Sequence, residues 1–259
     1  MVIEGIGYMK KQLLSFFSLL LVGVLLLTSC AKLPALKYDG EKYTNPKTGV
    51  SYFSAPDVYQ AVSRDENAEV ARLEQKGVGD LVLYAVGGVN TTKLLTDEYY
   101  TLFYATDYKL PTLEEMNPDV AYITQTINLS WVVAQIETPS EIAALISAFR
   151  TQKGFPIQEI DVALTKEAYD LKFASEDYGG FYYCVTYWQF SGDVLIYEEI
   201  EDVNNFSVTY PGIAYETEEY NGDLYVVYNF GSGILYDRIT RQCYPAGDLV
   251  SNYLTDEGE

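Results

Sequence analysis

Histidine is absent from all 259 residues, and this absence excludes more chemistry than any other feature of the chain. Without an imidazole there is no Ser-His-Asp or Cys-His catalysis and no His-ligated zinc or iron. The side chain that usually moves protons near neutral pH is missing as well. Basic charge is scarce: 17 Lys+Arg stand against 37 Asp+Glu, for a net charge of −20. Residues 1–29 hold Lys10, Lys11 and Glu4, net +1, which leaves −21 on the remainder. A surface so acidic repels phosphate backbones, so nucleic acid is not expected as a partner. It also repels anionic lipid headgroups, so membrane attachment is expected to come from something other than a basic patch. Phosphate-binding loops are missing too: Gly77-Val78-Gly79 lacks the third Gly of the dinucleotide fingerprint, and no Walker spacing occurs. Ser232 in "FGSGI" is not a nucleophile elbow, and no His exists to serve it. The single Ser-x-x-Lys spacing, Ser29 to Lys32, lies outside the bulk of the chain, and Cys-x-x-Cys does not occur.

What the chain does have is ordinary apolar content and an excess of tyrosine. Hydrophobic residues make up 48% and aromatics 15%, with 25 Tyr against 11 Phe. That composition belongs to a folded protein, long enough for one large domain or two small ones.

The longest apolar run is Leu13 to Leu27, interrupted only by Ser15, Ser18 and Gly23 and preceded by Met9-Lys10-Lys11. A helix over these fifteen residues rises about 22 Å, short of a hydrocarbon core of roughly 30 Å. A positive start, a short apolar stretch and small residues at its end describe a secretory signal, with Met9 as its natural beginning. The closing residues, Leu27-Thr28-Ser29-Cys30, resemble the lipobox of bacterial lipoproteins. The resemblance implies cleavage before Cys30, acylation of its thiol, and a diacylglyceryl anchor on the extracytoplasmic face of the cell membrane. Acyl chains contribute about 0.8 kcal/mol per buried CH₂, so two or three of them hold stably. Ala31 follows the cysteine, so the aspartate that retains some lipoproteins at the inner membrane is absent. An ordinary signal peptide with Cys30 incidental, or an uncleaved anchor, stays open beside this reading. The resemblance covers residues 9–30 and says nothing of the domain behind them. In an oxidising compartment the remaining thiols, Cys184 and Cys243, either pair as a disulfide or stay apart as two small buried residues.

Residues 30–42 read as a tether. After it, "KYTNPKTGVSYF" has two strand-like flanks around an Asn-Pro-Lys-Thr-Gly turn. Ser54-Ala55-Pro56-Asp57 has the look of a helix start. Strands are expected over 80–86, 99–106 and 127–137. The best-marked helix runs from Pro139 to Lys153. Its Thr138 and Glu141 have the spacing of a capping box, and Gly154 follows it. Its Ile142, Leu145, Ile146 and Phe149 form one apolar stripe. Residues 168–246 read as an antiparallel meander with turns at Tyr178-Gly179-Gly180, Ser191-Gly192 and Asn221-Gly222. The expectation is a single α+β domain over 43–255, mainly antiparallel sheet, with an alternative boundary at 154–156.

Function is less legible. Carboxylate-only hydrolysis survives the exclusions, because a glycosidase needs two acids and little else. With 36 acids beyond residue 29, close pairs arise by chance. A calcium loop at Asp65–Glu69, read in helical context, has Val70 where Gly is needed. No metal or cofactor is therefore expected. "FYYCVTYWQF" (181–190) places residues of both parities on apolar faces, as in a central strand. Trp188, Tyr187 and Tyr182 are its candidates for a binding surface. The expectation is a non-catalytic, envelope-anchored module that binds a protein, peptide or glycan. A carboxylate hydrolase and a structural envelope protein are the alternatives.

Overall fold

The computed structural model describes residues 33–75, 79–126, 130–160 and 164–254. The expected lipidation site, Cys30, and the signal segment lie outside these residues. The protein is mostly β, with 49% of residues in strands and the sheets predominantly antiparallel. No helix among the described residues is long and apolar enough to cross a membrane.

The first eight strands are β1 (Ala35–Tyr38), β2 (Tyr43–Thr44), β3 (Ser51–Ser54), β4 (Tyr59–Ala61), β5 (Arg64–Gln75), β6 (Gly79–Val86), β7 (Leu94–Thr96) and β8 (Leu102–Ala105). Seven of them close a barrel in the order β1-β2-β3-β8-β7-β6-β5. Its closing seam is parallel and sets Ala35 opposite Arg72. Leu36, Ala71, Leu73, Leu83, Leu95 and Phe103 fill the interior at alternating positions of their strands, the period a pleated backbone imposes. The stretch read as a tether is thus already structural at Ala35, because Leu36 has a place in the barrel interior. The β2–β3 turn forms as expected. Asn45 Oδ1 accepts the Lys47 and Thr48 amides, and Gly49 supplies φ +76°.

Two helical readings are overturned within this lobe. Residues 54–57 run from the end of β3 into a turn over Pro56–Tyr59, closed by the Tyr59 amide donating to the Pro56 carbonyl at 2.9 Å, that delivers β4. Val58, Tyr59 and Ala61 are all buried there, and β4 finds a ladder partner in another sheet, which outweighs local propensity. Asp65–Glu69 lies on β5 at an irregularity of the ladder, where pairing with β6 resumes at Glu69 opposite Tyr84 and Ala71 and Leu73 face inward.

The second sheet is built from β9 (Val120–Thr126), β10 (Ser130–Ile136), β11 (Phe155–Pro156), β12 (Thr165–Ala174) and β13 (Phe181–Phe190), with two later strands. After β14 (Leu195–Ile200), β15 (Ala214–Tyr220) and β16 (Asp223–Asn229), the chain returns as β17 (Gly233–Asp237) and β18 (Gln242–Pro245). The order is β10-β9-β12-β13-β17-β18-β11, with β4 added along the first residues of β13. One face is covered by α1 (Leu113–Met116), α2 (Pro139–Thr151) and α3 (Asp248–Ser251). Ile142 and Leu145 of the expected stripe are fully buried against it, while Ile146 and Phe149 are partly buried. The α2 capping box does not form: Thr138 makes no side-chain cap, and the Glu141 carboxylate is taken by the Tyr253 hydroxyl. A capping box does form at α1, between Thr112 and Glu115.

The meander is interrupted. Ser191-Gly192 is not a hairpin, because β14 leaves for a separate three-stranded sheet, β14-β16-β15, and β13 takes β17 as its next neighbour. Asn221 (φ +54°) and Gly222 (φ +93°) make the β15–β16 hairpin turn, the left-handed pair expected of a type I′ turn. The small sheet packs Ile196, Val226 and Tyr228 onto Phe155, Phe230 and Phe190. Phe155, at the position of the suggested domain boundary, is a buried residue of edge strand β11 rather than part of a linker.

Candidate functional site

A cleft of about 660 Å³ opens where the barrel meets the bare face of the central sheet. Strand periodicity sets its floor. On β9, β12 and β13 the residues Ile123, Leu171, Phe173 and Val185 turn to the helices. Their neighbours Tyr122, Thr124, Asp170, Lys172 and Tyr182 turn to the cleft. Register then sets the rows: Tyr122, Lys172 and Cys184 lie side by side across three strands, and Thr124, Asp170 and Thr186 form the next row. Trp131 and Val132 of edge strand β10 make one wall. Gln60, Ala61 and Val62 with the β7–β8 turn make the other.

That turn presents two tyrosines and is held unusually firmly. Asp97, only 3% exposed, accepts the amides of Tyr99 and Thr101 on Oδ1 at 2.8 and 2.9 Å. Tyr100 is forced to φ +63°, a left-handed conformation that costs a bulky residue about 1–2 kcal/mol. The Ala61 amide donates to the Tyr100 carbonyl at 3.0 Å, tying the turn to β4. The Arg64 guanidinium lies 5.9 Å from the Tyr100 ring centroid and donates to the Glu98 carbonyl. The outcome is a rim of fixed backbone on which Tyr99 is 74% exposed, lining the same cleft as Trp131 at 44%. On the floor, Tyr122 and Tyr182 meet edge to face at 5.9 Å.

The cleft contains one acid and one base, and they are in different states. Asp170 is bridged by Arg238 Nη2 at 2.6 Å, while Arg238 Nε donates to Thr186 Oγ1. Lys172 has no carboxylate partner among the described residues. Such a site can stack flat or apolar groups on aromatic rings, offer hydrogen bonds from hydroxyls and amide groups, and place one ammonium against an anionic group.

Of the three aromatics singled out from sequence, the structure brings only Tyr182 to this cleft. Trp188 stacks on Tyr236 at 5.0 Å and 12°, partly buried beneath the small sheet. Tyr187 is fully buried on the opposite face, and its hydroxyl has no hydrogen-bond partner among the described residues. Tyr99, Tyr100, Tyr122 and Trp131 were missed because three separate segments supply them. The one local clue was Trp131-Val132-Val133, three consecutive apolar residues that break strand alternation and sit at a bulge. The two thiols do not pair: Cys184 and Cys243 are free, on strands separated by β17. Burial pushes both up to about 12.

A second cleft, about 570 Å³, lies at the foot of the small sheet. Here Tyr210 donates to Glu159 at 3.1 Å and Thr209 to Glu198 at 2.7 Å. Glu198 Oε2 is enclosed and accepts no hydrogen bond from the described residues. Among the described residues no three Cys, Asp or Glu side chains gather as metal ligands. Compared with protein-family models, with curated proteins and with solved structures, the chain matches none.

Proposed function

We propose that this chain is an envelope lipoprotein, anchored through Cys30 on the extracytoplasmic face of the cell membrane. It binds a glycan or peptide, without catalysis, in the cleft between barrel and sheet. The observation that carries the reading is the β7–β8 turn. A buried aspartate and a left-handed tyrosine fix the backbone that carries two exposed rings into the cleft lined by Trp131, and strain of this kind clusters at binding sites. Rings held before the ligand arrives lower the ordering cost of binding. A non-catalytic role is favoured by the acid in the cleft, since Asp170 is neutralised by Arg238 and no second carboxylate lines this cleft among the described residues. The test is retention of the 31–259 fragment on peptidoglycan, envelope glycans and immobilised peptides. Binding should quench Trp131 fluorescence, and Trp131→Ala should abolish it. Failure to retain any of these polymers contradicts the reading.

The hydrolase has one observation in its favour, Glu159 and Glu198 flanking Tyr210 in the second cleft. Release of reducing ends by the wild type, abolished in Glu198→Gln, would establish it instead.

A further inference from the structure

The charge of the whole chain conceals a local reversal at one end of the barrel. The strand registers sort the barrel's loops into two ends. At one end lie Pro34, whose carbonyl accepts the Arg72 amide, the Asn45–Val50 turn, Lys93 and the segment after Ala105. At the other lie the β1–β2 turn with Asp39 and Glu41, and the β7–β8 turn with Asp97 and Glu98. Lys37, Lys47, Lys93 and Lys109 gather toward the first end, with Asp107 among them, while Lys42 belongs to the acidic β1–β2 turn at the other. Lys37 and Lys47 line a groove of about 870 Å³ together with Pro34, Tyr38 and Pro46. Lys93 and Lys109 line a second one beyond the same turn. Lys109 is bridged to Glu115, but Lys37, Lys47 and Lys93 have no carboxylate partner among the described residues. Of the two acids in these grooves, Glu74 is already held by Arg72.

This is also the end from which the chain leaves toward its N-terminus. Three residue steps separate Leu33 from Cys30, at most about 11 Å of extended chain.

We propose that this end of the barrel docks on the anionic surface of the bilayer, with Lys37, Lys47 and Lys93 against the headgroups. The proposal rests on the lipoprotein reading of Cys30, since a lipid there leaves the domain no room to stand off. Lysines near an anionic leaflet attract it within a Debye length. The acyl chains hold the protein to the membrane; the lysines set how it sits. The small sheet, with nine acids and no Lys or Arg between residues 193 and 230, is repelled by the same surface. The β7–β8 rim, at the opposite end of the barrel, then faces away from the membrane.

The test uses the full lipidated protein in phosphatidylglycerol-containing proteoliposomes, with a fluorophore on Thr48→Cys or on Glu218→Cys and a quencher on the lipid headgroups. Quenching is expected at 48 and not at 218. Adding Lys47→Glu and Lys93→Glu, or using phosphatidylcholine alone, should lower it at 48 by about three-fold. An acylated protein quenched equally at both positions, or at 48 regardless of the two substitutions, overturns the docking alone. A protein whose mass shows Cys30 unacylated, and which does not enter the vesicles, overturns the lipoprotein reading and the docking with it.

Discussion

The cleft and the small three-stranded sheet draw on the same residue types and put them to different use. Both expose tyrosines: Tyr99 and Tyr100 at the cleft, Tyr197, Tyr215 and Tyr220 on the sheet. Around the cleft the rings converge from separate segments on a concave floor, one rim is conformationally fixed, and charge is nearly balanced. On the sheet they stand among Glu199, Glu216, Glu218 and Glu219 along two strands of which β15 is exposed throughout. Acids on an open strand edge discourage another strand from adding to it. Tyrosine abundance is therefore no guide to a site. Convergence and fixation distinguish the two regions.

Alkali breaks the comparison most completely, because it removes the fold that both share. Burial raises Tyr59, Tyr187 and Tyr210 from 10 to about 12, and the Cys184 and Cys243 thiols from 9 to about 12. These groups are held neutral in the folded protein and ionise more readily once it unfolds. Their contribution to stability is full below the unfolded values and is lost as pH rises toward 12. Denaturant midpoints should hold to about pH 9 and collapse between pH 10 and 12. Tyrosinate absorbance from the buried rings should appear together with unfolding.

A smaller effect separates the two regions. Asp97→Ala removes the acceptor of two amides in a buried turn, so it should cost about 1–3 kcal/mol in chemical denaturation. Because it also frees Tyr99 and Tyr100, ligand affinity should fall by about ten-fold. Tyr100→Gly relieves the left-handed strain, so its stability should stay within about 1 kcal/mol of wild type. Its binding should nevertheless weaken, since a ring is lost. Affinity that follows stability in both variants would mean that the turn is merely structural.

Much of the scaffold was readable because it is local. The α2 stripe, the Asn221-Gly222 turn, the Asn45–Gly49 turn and the two-faced strand β13 all follow from spacing within a dozen residues. The barrel was not readable: its seam joins Ala35 to Arg72, and neither strand says which partner it will take. For the same reason 54–57 and 65–69 looked helical, since the burial of Tyr59 depends on β13 and that of Leu73 on the seam with β1, both distant in sequence. At the site, Tyr182 was legible as part of an aromatic strand. Trp188 and Tyr187 shared that strand yet face a partner ring and the helices, because the identity of the covering layer is set by distant segments. The whole-chain charge was equally misleading as a guide to Lys37, Lys47 and Lys93, which share one end of the barrel only after it closes.

The smallest effect is expected on the acidic sheet. Replacing Glu216, Glu218 and Glu219 together by Gln should change stability by no more than about 0.5 kcal/mol per position, leave cleft binding intact, and increase light scattering at high concentration. Lost binding in this variant would move the site to the small sheet.

The most direct measurement compares, on the same panel of envelope glycans and peptides, the wild-type 31–259 fragment, a Tyr99→Ala/Trp131→Ala variant and this triple Gln variant. The account predicts that the wild type and the triple variant are retained equally and that the cleft variant, still folded by circular dichroism, is not. Retention of the cleft variant at wild-type strength would contradict it.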